Sequence, residues 1–438
     1  MTKTDQQNFP NLRFPGFEDN WKYTTVQKFV DQEIIAKPMD GNHGNIHPIA
    51  SDFVDEGIPF IMANDIREGK IRFGTARMIS RSQADSLQKG FALAGDILLT
   101  HKATLGETAI VPKIPWDYIM LTPQVTYYRV IDPKRYVTGF LYQYFSTYRF
   151  QTELENRAGG ATRLYIGITE QRKLEIPECD VAEQRKIAEF LDTVDTKITQ
   201  LAEKKRLLED YKKGCLQHLF SQEIRFKDDD GNEFPIWEKK KLGEVFTWIN
   251  TNSFSRELLT NEVGQVQNIH YGDIHTKFSA NFHQDAELVP YVKDATPSDF
   301  KQEQFCKIGD VVIADASEDY ADIGKAIEIV SLSDTPMVAG LHTYIARPKI
   351  ATVQTGFSGY LLRSEAMRRQ IVRIAQGISV LGISKGNLEK LSFLMPHPGE
   401  QRKIADFLSS IDRKIDLVSE ELSQTQSFKK GLLQIMFV

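Results

Sequence analysis

Glu183–Ile198 reads EQRKIAEFLDTVDTKI and Glu400–Ile415 reads EQRKIADFLSSIDRKI, one segment written twice at an offset of 217 (400 minus 183). Eleven of the sixteen positions are identical, and Glu/Asp, Val/Ile and Thr/Ser exchanges make up much of the rest. The register holds further along the chain. Tyr211-Lys212-Lys213-Gly214 returns as Phe428-Lys429-Lys430-Gly431, and Phe220 returns as Phe437. A repeat of this length describes two similar halves, each to be read against the other.

The repeated segment carries a helical stripe. Apolar residues step by four and three through Ile187, Leu191, Val194, Ile198 and Leu201, then Leu208; the second copy runs Ile404, Leu408, Ile411, Ile415, Val418 and Leu422. This is the period of a coiled-coil seam, interrupted in the first copy by Lys205 and Lys212. No proline follows Pro177 in the first stretch or Pro398 in the second. A helix of ~38 residues spans roughly 57 Å at 1.5 Å per residue. Neither stripe is stable in water, and two helices of matched length most simply bury each other. A pseudo-two-fold exchange of the halves makes that pair antiparallel.

The regions before the two helices share a plan. Leu12-Arg13-Phe14-Pro15 leads to Trp21, and Ile224-Arg225-Phe226 leads to Trp237, with a turn at Asp228–Asn232 marking a boundary. Both tryptophans read as core residues framing their domains. Gly95-Asp96 and Gly309-Asp310 each introduce a buried apolar strand, followed by a polar loop and a second strand. Helical stretches begin at Thr138 and Thr355. The expected division is therefore 1–180, a mixed domain; 181–222, a spacer helix; 223–396, a second mixed domain; and 397–438, a second spacer helix. The fold class is α+β: two mixed α/β domains in tandem pseudo-repeat, separated by two long antiparallel coiled-coil helices. The loops diverge where the frame repeats. Asp40–His47 shows no counterpart in the second half, and Asn268–His275 none of comparable sequence in the first. One frame serves twice, while the loops are set up for two different tasks.

Composition narrows the class. At 438 residues the chain has room for two to four domains, and its 41% hydrophobic and 26% charged content is that of a soluble globular protein. No apolar run approaches ~20 residues, so no membrane-spanning helix is expected. The opening MTKTDQQNFPNLRF lacks the pattern of a secretory signal. Cys179, Cys215 and Cys306 are widely spaced, which disfavours a disulfide framework or structural zinc and fits a reducing cytoplasm. A net charge of −5 argues against indiscriminate coating of nucleic acid, yet allows base reading by a few local groups.

Catalytic signatures are missing. There is no phosphate-binding G-x-x-x-x-G-K-[ST], no G-x-S-x-G elbow and no H-E-x-x-H helix. The Asn/Asp-Pro-Pro-aromatic motif of amino-methyltransferases is also absent. Asp310, Asp315, Glu318, Asp319 and Asp322 form an acidic group, but no Glu-x-Lys partner lies nearby to make a nuclease of it. No catalytic residue and no metal ligand is assigned.

These residues together resemble the specificity subunit of type I DNA restriction–modification enzymes over essentially the whole chain. The resemblance rests on the two EQRKIA helices, the Phe/Tyr-Lys-Lys-Gly segments, the Trp-containing openings and units such as Gly95–Val111. It implies two target-recognition domains, each reading one part of a bipartite asymmetric site in double-stranded DNA across a gap of fixed length. It further implies two methyltransferase subunits and motor–nuclease subunits as partners. S-adenosylmethionine, ATP and Mg would belong to those partners, with no cofactor on this chain. In domain one the DNA-contact candidates are His43, Asn45 and His47 in a glycine-rich loop, Lys102, Thr104 and Gly106 in the strand connection, and Arg163 and Tyr165 after Gly159-Gly160. In domain two they are Asn252, Ser253, Ser255, Arg256, His270, Tyr271, His275, Ser317, Tyr320 and His342. Lys212, Lys213, Lys429 and Lys430 read instead as solvated or partner-facing helix charges. The competing reading is a coiled-coil protein–protein adaptor that binds no DNA; steep loss of binding with salt would separate the two.

Overall fold

The computed structural model describes residues 9–160, 164–349 and 353–437. Contacts group the chain into two units, Met1–Ala202 with Glu420–Val438, and Glu203–Ser419. Four segments read from the sequence thus become two bodies, and each takes a share of both long helices.

Both units build on the same two sheets. In the first unit one sheet has the strand order Thr104–Ile110, Ile97–Lys102, Val125–Tyr128, Met39–Asp40, all antiparallel. The second unit repeats it as Ala326–Ser331, Val311–Ala314, Thr343–Pro348, Phe246–Ile249, and adds Asn281–His283 at one edge. The other sheet runs Phe53–Val54, Arg77–Ile79, Ile58–Ile61, Ile119–Leu121, Phe91–Ala92 in the first unit. Its counterpart runs Leu259–Thr260, Tyr291–Val292, Gln267–Ile269, Met337–Ala339. Each of these sheets has one parallel pair, at the same place. The Gly-Asp turns do one job twice. Gly95 and Gly309 adopt φ of 92° and 88°, a conformation that favours glycine, and the following aspartates accept forked bonds from Arg129 and Arg347.

This topology revises two expectations. Asn268–His275 is no free loop: it is the end of strand Gln267–Ile269 followed by the short helix Tyr271–Thr276. Its counterpart is Ile61–Ile66, where Asp65 and Ile66 are as buried as Asp273 and Ile274. The shared pattern is only Ile-x3-Asp-Ile, too thin to stand out by sequence. Asp40–His47 also has a positional partner in Asn250–Leu258. Each segment leaves the edge strand of one sheet, bonds the end of a parallel-paired strand of the other, at Thr122 or Ala339, and makes one 3-10 turn.

Val181–Phe220 and Pro398–Met436 are unbroken helices. The repeated Glu-Gln explains why the segment was written twice. Glu183 is buried and accepts a forked bond from Arg13 (2.8 and 2.8 Å) and one from the Trp21 indole (3.0 Å). Glu400 does the same for Arg225 (3.1 and 2.7 Å) and Trp237 (2.8 Å). Gln184 and Gln401 each accept from a backbone N–H, of Val137 and Gln354, and donate to Cys179 and Pro396 carbonyls. Each tryptophan is therefore a core residue, and its one polar atom is satisfied by the helix that follows the domain.

Within the first unit the start of one long helix packs antiparallel on the end of the other. Asp195 binds Lys429 at 2.6 and 2.8 Å, and Lys197 binds Glu421 at 2.7 Å. In the second unit Lys212 pairs with Asp412, and Leu219 shares a cluster with Ile404, Leu408 and Ile411. Lys212 and Lys429 were expected to be solvated or partner-facing; each is half-buried and pairs with an aspartate on the other copy of the repeat. Lys213 and Lys430 are exposed.

The seam residues divide by depth. Ile187, Leu191 and Val194 join the aromatic core of the first unit beside Trp21, Phe140 and Tyr144, and Ile404, Leu408 and Ile411 join that of the second. They are domain core as much as helix seam, because the helices Thr138–Phe145 and Ser358–Arg363 also cover them. Leu201 and Val418 are buried, while Ile198, Leu208, Ile415 and Leu422 are half-buried. At about 1.5–3 kcal/mol per fully buried large apolar side chain, these positions are a major part of each unit's stability.

Candidate nucleic-acid interface

In the first unit the strand order carries five segments to one end of the sheets. Gly41 N–H donates to Thr122, Thr122 to Ile61, His101 to Gln124 and Ile166 to His101, at 2.9 to 3.2 Å. Loop 40–47, turn 62–65, the Lys102–Thr104 connection, turn 122–124 and the segments 159–160 and 164–166 therefore stand together. Ala103, at φ 71°, turns that connection back on itself.

The polar groups there are ordered. Burial works against the Asp40 carboxylate, but Lys89 and His43 (2.7 Å) together hold it below its ordinary pKa. His43 is exposed, and Asn45 lies in the 3-10 turn Gly44–Ile46. His47 sets its ring 5.4 Å from that of Phe60, and its Nδ1 has no partner among the described residues. Burial pushes His101 down to about 4, so the ring is neutral at pH 7; Nδ1 faces the Ile166 carbonyl at 3.0 Å, and Nε2 has no partner among the described residues. Tyr165 is exposed over it, with the Lys102 ammonium 5.8 Å from the Tyr165 ring. Thr104 is half-buried in the turn. Gly106 adopts φ 88° at a strand irregularity, where a Cβ would meet the Gln151 side chain at 2.1 Å, and it lines a polar groove of about 390 Å³ with Glu68, Glu107 and Gln151. Arg163 lies outside the described residues.

The second unit gathers the equivalent segments with different side chains. Asn252 is a clamp, donating to the Ala339 carbonyl (2.9 Å) and to Asn268 (2.8 Å). Ser253 is exposed and Ser255 half-buried. Arg256 and Lys277 both hold the buried Asp273, at 2.8 and 2.9 Å. His270 caps the helix Tyr271–Thr276 by accepting from Gly272 N–H, and burial pushes it down to about 4. Tyr271 stands among three imidazoles, with His270 at 4.5 Å, His342 at 5.5 Å and His275 at 5.6 Å between ring centroids. Burial also lowers His275. His342 is held at φ 58°, in the left-handed region, and faces Asp315 at 3.3 Å. Such backbone costs of order 1–3 kcal/mol and persists where surroundings impose it. Ser317 is buried and accepts from Asp319 N–H, closing a turn as serine commonly does; Tyr320 is exposed. So Asn252, His270 and Ser317 shape this surface from beneath. Ser253, Arg256, Tyr271, Tyr320 and His342 form its face.

One element escaped the residue-by-residue reading. Ala316–Ser317 pairs with Leu381–Gly382, and Gln376 and Gly382 exchange two backbone bonds (3.0 and 2.7 Å). Ile378 and Val380 are exposed at the tip of this turn. The groove beside it, of about 410 Å³, is lined by Asp315, His342, Gln376 and Val380 among others. The offset of 217 from Arg163 and Tyr165 lands on Val380 and Gly382 and was the available signal. Among the described residues no group of three or more His, Cys, Asp or Glu is placed to hold a metal ion. What both ends offer is neutral imidazole, phenol, hydroxyl and cation on ordered turns, the inventory of base and phosphate recognition.

The chain belongs to the family of the type I restriction modification DNA specificity domain, whose model matches residues 47–209 and 236–426. It is 25% identical to the type I restriction enzyme MjaVIII specificity subunit of Methanocaldococcus jannaschii, over 98% of this chain and 95% of that one. The MjaIX specificity subunit of the same organism is 29% identical over 34% of this chain and 35% of its own length. The crystal structure of the type I restriction–modification S subunit from M. genitalium has the same fold, with a TM-score of 0.59 at 16% identity over 98% of this chain and 99% of that one. A chain from a structural study of complex assembly in the type I system superposes with a TM-score of 0.54 at 14% identity, covering 96% and 98%. Among the described residues no helix is long and apolar enough to cross a membrane.

Proposed function

We propose that this chain reads a bipartite, asymmetric double-stranded DNA site, one half-site per unit, and holds together a type I restriction–modification complex. The observation that carries the reading is the paired frame: a shared order of four strands in each of two sheets in both units, with unlike side chains on the equivalent segments. The chain itself is non-catalytic in this proposal. Two methyltransferase subunits supply S-adenosylmethionine and the adenine chemistry, and motor–nuclease subunits supply ATP- and Mg-dependent work, in the cytoplasm. The helices Val181–Phe220 and Pro398–Met436 set the gap between half-sites. Single-molecule sequencing of methylated adenines in a host carrying the whole system tests it. Two unlike half-sites flanking a fixed gap are expected; a palindromic motif would overturn it.

A further inference from the structure

The two equivalent buried aspartates, Asp65 and Asp273, take different partners. Asp273 consumes two cations, Arg256 and Lys277. Asp65 accepts instead from the Met62 N–H at 2.8 Å; burial raises its pKa, while Met62, Thr75 and the more distant Arg77 charge work the other way. Two arginines nevertheless stand beside it. Arg72 N–H donates to the Asp65 carbonyl at 2.8 Å, and the Arg72 carbonyl accepts from Thr75, which fixes the turn. Phe73, the next residue, packs its ring 6.0 Å from that of Trp116. Arg77 pairs across from Phe60 in the sheet and places its guanidinium 6.0 Å from the Phe53 ring. Both arginines are exposed, and among the described residues neither has a carboxylate within ion-pair distance. The patch is continuous with loop 40–47, because Phe60 also carries the His47 ring.

We propose that Arg72 and Arg77 are phosphate contacts of the first half-site. The inference rests on the DNA-reading function above and names which residues supply its electrostatic share. Two exposed guanidiniums, one on an ordered turn and one on the neighbouring strand, are complementary to a sugar–phosphate strand, and arginine matches phosphate geometry in a fork.

The test measures DNA affinity against salt concentration for the chain assembled with its methyltransferase subunits, on DNA carrying its own methylated motif. For R72Q/R77Q the slope of log affinity against log salt should shrink by roughly 1.8, at about 0.9 per phosphate lost. The methylated motif should stay unchanged, R72K/R77K should restore most of the slope, and K213Q on the exposed helix face should leave it intact. An unchanged slope for R72Q/R77Q overturns the proposal, and so does an altered motif, which would make the arginines base readers. If the unmodified complex shows no sequence-specific binding, the proposed function itself fails, a result distinguishable from either of these.

Discussion

Glu183 with Arg13 and Trp21, and Glu400 with Arg225 and Trp237, are the same arrangement to within a few tenths of an ångström. Asp65 and Asp273 are the same residue at the same place with no partner in common. The difference shows how one frame hosts two recognition surfaces. Groups that tie a domain to its helix are kept as complete sets. Groups under the loops retain only a buried anchor, and its partners vary with what must be shown outside.

The strongest way to break this comparison is to remove the shared anchor. E183A removes the carboxylate from Arg13 and the Trp21 indole, and E400A removes it from Arg225, which keeps the Phe234 and Pro235 carbonyls, and from Trp237. Breaking a buried ion pair by losing one partner costs about 3–5 kcal/mol, so each substitution should destabilise its own unit by that order. Segment-resolved hydrogen exchange would read this unit by unit. Effects below 1 kcal/mol, or an effect in one unit only, would mean the two sets are not equivalent anchors.

A second test uses protonation. Glu328 is buried in strand Ala326–Ser331, accepts from Gly356 and Gly359 N–H, and is pushed by burial up to about 7. The position paired in the same way in the first unit is Ile110. A carboxyl with its folded pKa raised gives stability that is present below its unfolded pKa and lost as pH rises through the folded one. The second unit should therefore lose up to roughly 3 kcal/mol from this group between pH 4.5 and 7, at 1.36 kcal/mol per pKa unit. His270 and His101, both lowered to about 4, act oppositely and add stability as pH rises from 4 to 6.5. Denaturation midpoints of the wild type and E328I across this range isolate the glutamate. Parallel pH profiles for the two would refute its role.

Exchanging the first mixed domain for that of a relative should alter one half-site and leave the other untouched, as read by methylation sequencing. A change in both would deny the units their independence. The smallest expected effect concerns the helix. Four residues inserted after Leu201 add about 6 Å and rotate the helix by ~400°, nearly restoring the apolar stripe. The gap between half-sites should lengthen by one or two base pairs, whereas two inserted residues, turning the stripe by ~200°, should weaken assembly. An active four-residue insertion with an unchanged gap would separate holding from measuring.

The frame was legible because its signals are local and repeated: the 217-residue offset, the four–three stripe and the Gly-Asp turns. The candidate surface was legible only in part. His43, Lys102, Tyr165, Arg256, Tyr320 and His342 do reach the exposed ends. His270, Asn252 and Ser317 turned inward because a loop's polar residues first satisfy the backbone around them. Lys212 and Lys429 were read as solvated or partner-facing because the aspartates they pair with lie about 200 residues away along the chain. Arg72 and Arg77 went unnoticed since nothing local distinguishes a free arginine from a paired one. That distinction exists only once Asp65 has found its donors.

The first unit's core includes Leu432, Leu433, Met436 and Phe437, with Phe437 packed among the rings of Trp21, Phe140 and Tyr144. Those four residues leave the ribosome after every residue of the second unit. The second unit, an uninterrupted stretch from Glu203 to Ser419, can mature while synthesis continues. The first unit must wait with an open aromatic core until Leu432–Phe437 are made, so a ribosome that stalls between the second unit and those residues strands the first unit rather than the second.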